Sequence, residues 1–222
     1  GNPSSMREIA EAFAAADFHV ELPRLAGHGT DVAEMMDTRW ADWTRDAEQA
    51  LSELRKRCSN VVVVGLSMGG AITLWLASRH SDLSGIVCIN PTTKSSASKL
   101  AGARLAVKTG KKSLPAIGSD ISDPDVKESS YDATPLAAAV SLFADGLKPL
   151  SKKYGSIKVP LLLFTATNDH VVNPKESDFL ASKYAGSVER VTLERSFHVA
   201  TQDVEKETIH AKALEFVKRV TA

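Results

Sequence analysis

Apolar residues in this chain fall into short runs separated by longer stretches of mixed polarity. Four consecutive valines fill positions 61–64, and three further segments have the length and composition of strands, namely Gly85–Asn90, Val159–Thr165 and Val188–Leu193. Short runs rich in β-branched residues indicate strands that are buried on both faces, as in a parallel sheet. Phe18–Leu22 is predicted as one more short strand.

The segments between these runs carry apolar residues at helical spacing. The first helix has Ser5 and Glu8 placed as a capping box. The apolar stripes consist of Met6, Ile9, Ala10 and Phe13; of Trp40, Trp43, Ala47, Ala50, Leu51 and Leu54; of the run 71–77; and of Ile209, Ala213, Phe216, Val217 and Val220. Strands that alternate with helices predict an α/β protein with a mostly parallel, doubly wound sheet.

The stretch between the second and third strands of this sheet is far longer than an ordinary connection. We therefore predict a core formed by residues 1–90 and 156–222, with a small cap inserted at residues 91–155. Charge is segregated inside the cap, because residues 92–118 hold six Lys or Arg and no acid, whereas residues 120–132 hold five acids and one lysine. The alternative is a solvated surface excursion that covers nothing.

Composition excludes several classes of partner. Basic and acidic residues balance at 27 each, so nothing indicates a nucleic acid or a strongly charged partner. No apolar run approaches the ~18 residues that a membrane span requires. The two cysteines, Cys58 and Cys88, favour reduced thiols over a disulfide framework. We expect a cytoplasmic protein, with its oligomeric state left open.

The motif Gly65-Leu-Ser-Met-Gly69 joins the valine strand to the apolar run 71–77. A serine on such a sharp strand-to-helix turn lies in strained backbone, and the flanking glycines are expected because side chains there would collide with the strand and the helix. The turn presents the Ser67 hydroxyl at the carboxyl end of the sheet and leaves the Met68 N–H free to stabilise an oxyanion. The alternative is an ordinary turn with an idle serine.

A nucleophilic serine needs a base and an acid that orients the base. Among six histidines, only His198 falls in a loop after the last strand with a helix behind it, and Asp169 follows a buried strand. Asp145 and Asp203 are weaker candidates for the acid, and Asp203 suits a helix N-cap better. His28, between two glycines, is expected to order its loop. Cysteine and histidine spacing gives no metal site, and no cofactor is expected.

Four motifs together resemble the bacterial monoacylglycerol lipases and their close carboxylesterase relatives in the α/β-hydrolase superfamily. They are L-P-R-L-x-G-H-G-T, G-L-S-M-G-G, N-D-H-V-V-x-P and S-x-H-V-A-T-x-D, and a cap stretch at residues 117–128 also matches. The resemblance implies Ser67, Asp169 and His198 as the triad and Met68 as one oxyanion donor. It further implies that Ile117 and Glu128 line the entrance and the glycerol-binding end.

One part of the family pattern is not found in the chain. The family carries an H-G-F-x-G loop after a strand that lies beside the strand leading to the nucleophilic serine, and this loop gives the second oxyanion N–H. The sequence begins at the position of that loop's closing glycine, Gly1. We therefore expect the second donor and its strand to lie upstream of Gly1, and the 222 residues alone to be insoluble or inactive.

These inferences predict a serine hydrolase that cleaves carboxylic esters of short-to-medium acyl chains, with monoacylglycerol as the expected substrate. Transient contact of the cap with a lipid surface is also expected. A general carboxylesterase or an acyltransferase would share the chemistry. A small-molecule sensor that keeps the triad but turns over slowly is an alternative from another class.

Overall fold

The computed structural model describes residues 2–116 and 118–222. Six strands are present in this part of the chain: β1 (Val62–Leu66), β2 (Gly85–Ile89), β3 (Ser113–Pro115), β4 (Ala133–Pro135), β5 (Leu161–Ala166) and β6 (Val188–Leu193). The α-helices are α1 (Ser4–Ala15), α2 (Val32–Met36), α3 (Trp40–Arg55), α4 (Met68–Ala77), α5 (Ala97–Lys108), α6 (Leu136–Ser141), α7 (Lys148–Leu150), α8 (Lys175–Lys183) and α9 (Lys206–Thr221).

The main sheet has the order β1-β2-β5-β6, and every pair of neighbouring strands is parallel. The strands predicted at 61–64, 85–90, 159–165 and 188–193 are all found, with ends displaced by no more than two residues. Because the strands are parallel, their carboxyl ends meet at one edge of the sheet. That edge carries the residues that follow β1, β2, β5 and β6.

Both faces of the sheet are covered. All residues of β2 and β5 are buried, and alternate residues point to opposite sides. Ile86 and Leu163 join the core that contains α3, α4 and α8, whereas Val87 and Phe164 join the core that contains α1 and α9. This explains why β2 and β5 consist of continuous apolar runs.

The prediction of a strand at Phe18–Leu22 is wrong. The segment has no strand pairing, and β1 stands at the end of the described sheet. A strand requires a ladder partner, and no neighbouring strand of this sheet supplies one. Phe18–Leu22 and β1 instead line the same cavity, whose volume is about 590 Å³.

The helix-start prediction at Ser5 is also wrong. Helix α1 begins at Ser4, and no side chain caps it at Pro3. Ser5 lies inside the helix, where its hydroxyl donates to Oε1 of Glu128 across 2.9 Å. Glu8 pairs with Lys206 of α9 at 2.7 Å. Partners distant in sequence therefore take up both side chains of the expected capping box.

The region between β2 and β5 contains α5, the antiparallel pair β3–β4, and a helical stretch formed by α6, a π-helical turn at Leu142–Leu147, and α7. It is tied to the loops of the core by hydrogen bonds. The Tyr131 hydroxyl donates to the carbonyl of Gly27 at 2.9 Å and accepts from the N–H of Thr30 at 2.8 Å. In the described part of the chain, no helix is both long and apolar enough to cross a membrane.

Candidate active site

Ser67 occupies the sharp turn between β1 and α4. Its φ of 55° and ψ of −117° lie in a region that non-glycine residues rarely adopt. A Cβ at Gly65 would lie 2.3 Å from the backbone of Gly69, and a Cβ at Gly70 would lie 2.7 Å from the Pro91 side chain. The turn therefore requires glycine at positions 65 and 70.

The expectation that Gly69 is required for the same reason is wrong. A Cβ at this position would have nothing within 4 Å. The crowding arises because the Gly69 backbone approaches Gly65, so only the strand side of this pair must lack a side chain. The motif thus requires glycine for steric reasons at position 65 but not at position 69.

The structure brings the three predicted triad residues together from three loops. Nε2 of His198 lies 2.9 Å from the Ser67 hydroxyl, and Nδ1 lies 2.7 Å from Oδ2 of Asp169. The side chains of His198 and Asp169 are nearly buried, with 9% and 2% of their surfaces exposed. A hydroxyl, an imidazole and a carboxylate thus form a continuous hydrogen-bonded row in a largely water-excluded position.

The surroundings of Asp169 decide which imidazole nitrogen carries the proton. Its Oδ1 accepts from the N–H groups of Val171 and Val172, both at 2.8 Å, which leaves Oδ2 for His198. A carboxylate oxygen only accepts, so Nδ1 of the neutral ring is the protonated nitrogen. Nε2 then has a free lone pair that accepts the proton of the Ser67 hydroxyl. This is the arrangement that activates a serine as a nucleophile.

Met68 is the first residue of α4, so its N–H has no acceptor within the helix. It follows the nucleophile directly and can stabilise negative charge on an acyl oxygen bound there. The second oxyanion donor, expected upstream of Gly1, lies outside the described residues.

Sequence reasoning missed Asn90, which follows β2 and is 2% exposed. Its amide donates to the carbonyl of His198 at 2.8 Å and to that of Phe197 at 3.3 Å, and its Oδ1 accepts from the N–H of Ala166 at 2.8 Å. Asn90 has a φ of 43°, a conformation that asparagine tolerates better than most residues. The only sequence signal was its position at the end of a buried strand.

The cavity that Ser67 faces is lined mainly by apolar side chains, among them Met68, Leu142 and Val171. Glu128 also lines it and is half-buried. Its N–H donates to the Ser119 hydroxyl at 3.0 Å, in addition to the bond from Ser5 to its carboxylate. The predicted contact of Ile117 lies outside the described residues.

With this geometry in hand, comparison with known proteins identifies the family. The family model described as serine aminopeptidase, S33, matches residues 4–205. The chain belongs to this family. The chain is also 41% identical over 221 residues to the thermostable monoacylglycerol lipase of Bacillus sp. (strain H-257), an alignment that covers 97% of this chain and 86% of the relative.

Solved structures agree with this membership of the S33 family. A structure of the metagenome-derived lipolytic enzymes LipS and LipT superposes with a TM-score of 0.93 at 37% identity and covers 99% of this chain and 89% of that one. The Paleococcus ferrophilus monoacylglycerol lipase superposes with a TM-score of 0.74 at 21% identity, covering 98% of this chain and 90% of that one, which supports the fold alone. The predicted α/β-hydrolase fold, the resemblance to lipases and carboxylesterases, and the prediction of a carboxylic ester hydrolase are confirmed.

The other candidate residues of this S33 family member have different partners. Asp145 accepts from the Ser141 hydroxyl at 2.7 Å, beside the start of α3. Asp203 does not cap α9, which begins after Glu205. It accepts from the backbone N–H groups of Phe197, Ser122, Asp123 and Val204 and from the Ser122 hydroxyl.

His28 lies in the loop before α2, where its Nδ1 donates to the carbonyl of Ala26 at 3.1 Å and its ring meets Trp43 edge to face. Burial lowers the pKa of His28 below its ordinary value, although the bond to Ala26 raises it. The ring is therefore neutral near pH 7. Within the described residues, no group of three or more His, Cys, Asp or Glu could hold a metal ion.

Proposed function

We propose that this protein hydrolyses monoacylglycerols to glycerol and a fatty acid, with Ser67, His198 and Asp169 as its catalytic triad. The observation that carries the proposal is the hydrogen-bonded row from Asp169 through His198 to Ser67, which opens onto an apolar cavity. The name of the Bacillus relative, at 41% identity, supports the choice of substrate class.

The chemistry follows from the geometry. Nε2 of His198 takes the proton as the Ser67 oxygen attacks the acyl carbonyl, and the Met68 N–H stabilises the oxyanion that forms. His198 then returns this proton to the departing glycerol oxygen, which leaves an acyl-enzyme. Water, activated by the same nitrogen, releases the fatty acid and restores Ser67. Asp169 stays ionised and holds the imidazole in its orientation.

Two substitutions test the triad. Ser67→Ala should lower kcat by at least about 10³-fold with the fold unchanged, because only the attacking atom is removed. Asp169→Asn should be similarly severe. The N–H groups of Val171 and Val172 hold the amide oxygen at the Oδ1 position, so the amide NH₂ must face His198 and reverse its tautomer. Retention of more than a few per cent of activity by Ser67→Ala would refute the assignment.

Turnover also separates an enzyme from a sensor that keeps the triad. Labelling of Ser67 by a fluorophosphonate probe would be expected of both. Release of many equivalents of fatty acid per protein is expected only of the enzyme, and a single equivalent would support the sensor. A panel of monoacylglycerols against simple esters then distinguishes a lipase of this type from a general carboxylesterase.

We further propose that Glu128 binds the glycerol hydroxyls. An ionised carboxylate only accepts hydrogen bonds, and glycerol offers adjacent O–H donors. The half-buried position of Glu128 on the cavity wall supports this role. Glu128→Ala should lower kcat/KM for monoacylglycerol by about 1–2 kcal/mol and leave hydrolysis of a p-nitrophenyl ester nearly unchanged.

Ser5→Ala is the matched control, because it removes the hydrogen bond to Glu128 and keeps the carboxylate. If Glu128 binds the head group, Ser5→Ala should change little on either substrate. If Ser5→Ala reproduces the effect of Glu128→Ala, the carboxylate supports the cap instead. Equal losses on both substrates in Glu128→Ala would lead to the same conclusion.

The cap is proposed to touch lipid surfaces transiently through α5. This helix exposes Leu105, with 64% of its surface accessible, and Val107, and the basic residues Arg104 and Lys108 lie beside them. Anionic vesicles should therefore retain the protein better than zwitterionic ones. Leu105→Asn should weaken this binding, whereas Val204→Asn, at an exposed position after β6, should not.

We retain the cytoplasm as the proposed location. Cys58 and Cys88 are both free. Burial raises the pKa of the Cys88 thiol far above its ordinary value, which makes it an unreactive core residue. Activity recovered in a cytosolic fraction, without a disulfide by mass spectrometry, is the expected result.

A further inference from the structure

The loop that carries His198 is held by three acidic residues along its whole length. Six consecutive backbone N–H groups each donate to an acidic residue. Those of Glu194, Arg195 and Ser196 donate to Glu205, that of Phe197 to Asp203, that of His198 to Oδ2 of Asp120, and that of Val199 to the carbonyl of Asp120. The position of the His198 imidazole therefore depends on the positions of Glu205, Asp203 and Asp120.

Asp120 differs from the other two because it comes from the region between β2 and β5, about 80 residues before His198. Its carboxylate also binds the loop that carries Asp169. Oδ2 accepts from the N–H of His170 at 3.1 Å as well as from the N–H of His198 at 3.1 Å, and Oδ1 accepts from Nδ1 of His170 at 2.8 Å. One oxygen thus joins the residue after the triad acid to the triad base.

This bridge sets the distance between the loop that carries Asp169 and the loop that carries His198. Asp169 and His198 lie on separate loops, after β5 and after β6, and their side chains must meet at 2.7 Å. The carboxylate of Asp120 binds the backbone N–H of His198 and both the N–H and the ring of His170, and it forms no hydrogen bond with the side chain of Asp169 or His198. Its own side chain is 13% exposed, so water competes weakly for these bonds.

A second set of hydrogen bonds joins the same two segments, and here the acceptor lies on the side of the catalytic loop. Asp203, which follows His198, accepts from the hydroxyl and N–H of Ser122 at 2.7 and 2.9 Å and from the N–H of Asp123 at 3.1 Å. The short segment 120–123 is therefore fixed to the catalytic loop at both of its ends. This segment supports the triad and does not move independently of the catalytic loop.

We propose that Asp120 is a positioning residue that sets the separation of the acid loop and the base loop. The proposal rests on the triad assignment proposed above. The two can fail separately: if the triad is wrong, Ser67→Ala keeps its activity, and if only this inference is wrong, Ser67→Ala is inactive while Asp120 variants are normal.

The test compares Asp120→Ala with Asp120→Asn. Alanine removes the bridge, and kcat should fall at least tenfold for a monoacylglycerol and a p-nitrophenyl ester alike, with KM changed less than twofold. Asparagine keeps one acceptor oxygen for the two N–H groups, and its NH₂ can donate to Nδ1 of His170. It should keep kcat within about threefold of the original protein.

Asp125→Ala is the matched control, because this exposed aspartate lies two residues after segment 120–123 and outside the bridge. It should behave as the original protein does. Proton NMR gives a second measurement: the downfield signal of the proton between Nδ1 of His198 and Asp169 should persist in Asp120→Asn and weaken or move upfield in Asp120→Ala. A purely structural role would lower thermal stability without moving this signal in the folded protein.

Several outcomes would overturn the proposal. Asp120→Ala with normal kcat would do so, as would Asp120→Asn losing as much as Asp120→Ala, which would indicate a need for negative charge. A change confined to KM for monoacylglycerol would indicate substrate binding instead. If Asp120→Ala does not fold, Asp120→Ser replaces it, because the serine hydroxyl can satisfy one N–H group but cannot reach both loops; its kcat should also fall tenfold.

Discussion

The Asn90 amide donates to the backbone carbonyl of His198 across 2.8 Å, from the end of the central strand β2 to the loop that follows the outer strand β6. The same side chain accepts from the N–H of Ala166 at the end of β5. Asn90 is almost fully buried, so water cannot replace these bonds. The peptide groups on either side of the catalytic histidine are thus held by Asp120 at the N–H and by Asn90 at the carbonyl.

Asn90→Ala should therefore impair both stability and catalysis. The substitution leaves the carbonyl of His198 and the N–H of Ala166 buried without partners, at about 1–3 kcal/mol each. We expect the free energy of unfolding in urea to fall by about 2–4 kcal/mol and kcat to fall at least tenfold. Asn168→Ala is the comparison, because Asn168 makes a similar bond to the carbonyl of Glu194 from an exposed position. An equal loss of stability in both variants would contradict this account.

Gly65 and Gly69, which flank the turn at Ser67, should respond unequally to substitution by alanine. Gly65→Ala places a Cβ 2.3 Å from the backbone of Gly69, so the turn must shift and Ser67 with it. We expect a loss of at least about 3 kcal/mol of stability, or no folded protein. Gly69→Ala enters open space in the first turn of α4 and should be neutral or stabilising by up to about 1 kcal/mol. Thermal and urea unfolding of the pair measure this, and similar losses in the two would count against the steric explanation.

Acid should destabilise the protein through Asp203 and Glu205. Burial alone would raise the pKa of each, but hydrogen bonds from the N–H groups of Phe197, Ser122 and Val204 to Asp203, and of Glu194, Arg195 and Ser196 to Glu205, outweigh it and lower both values. Carboxyls with lowered folded-state pKa stabilise the fold fully above their unfolded values of about 4, and this contribution is lost as pH falls through the folded-state pKa.

The measurement is urea unfolding from pH 7 to pH 3. Asp203→Asn should be less stable at pH 7, because both carboxylate oxygens of Asp203 face donors, and its stability should depend less on pH in the acid range. Asp178→Asn is the control, since Asp178 forms an exposed ion pair with Arg190 and should contribute little. Parallel pH curves for Asp203→Asn and the original protein would refute the assignment.

A strand added beside β1 should raise both the stability and the kcat of the protein. In the described part of the chain, β1 is the end strand of the sheet and lines the same cavity as Phe18–Leu22. A longer chain whose additional residues pair with this edge should be more stable and should have a higher kcat, because the added backbone can supply a second oxyanion N–H. Soluble yield, unfolding and kcat of residues 1–222 would be compared with those of the extended chain. A Gly/Ser-rich extension of equal length is the control, and full stability and activity of residues 1–222 alone would contradict the prediction.

The sequence by itself determined the elements and the chemical residues. Burial on both faces leaves continuous apolar runs, so β2, β5 and their neighbours could be located from local composition. The strand-to-helix turn at Ser67 needs particular residues within a few positions, and it is therefore visible as a motif. Chain order and placement after strands were sufficient to select Asp169 and His198, because parallel strands bring their carboxyl ends to one edge.

Only the tertiary structure decided what holds these residues in place. The bonds of Asn90 and Asp120 to the His198 loop join residues 108 and 78 positions apart, and no local pattern encodes such partners. Ser5 and Asp203 resembled helix caps because their neighbours fit a cap, yet partners distant in sequence bind both. The Phe18–Leu22 segment has strand-like composition without a ladder, since pairing is a property of two segments and not of one. Gly69 shows the same limit, because a steric requirement depends on which atoms of the fold approach it.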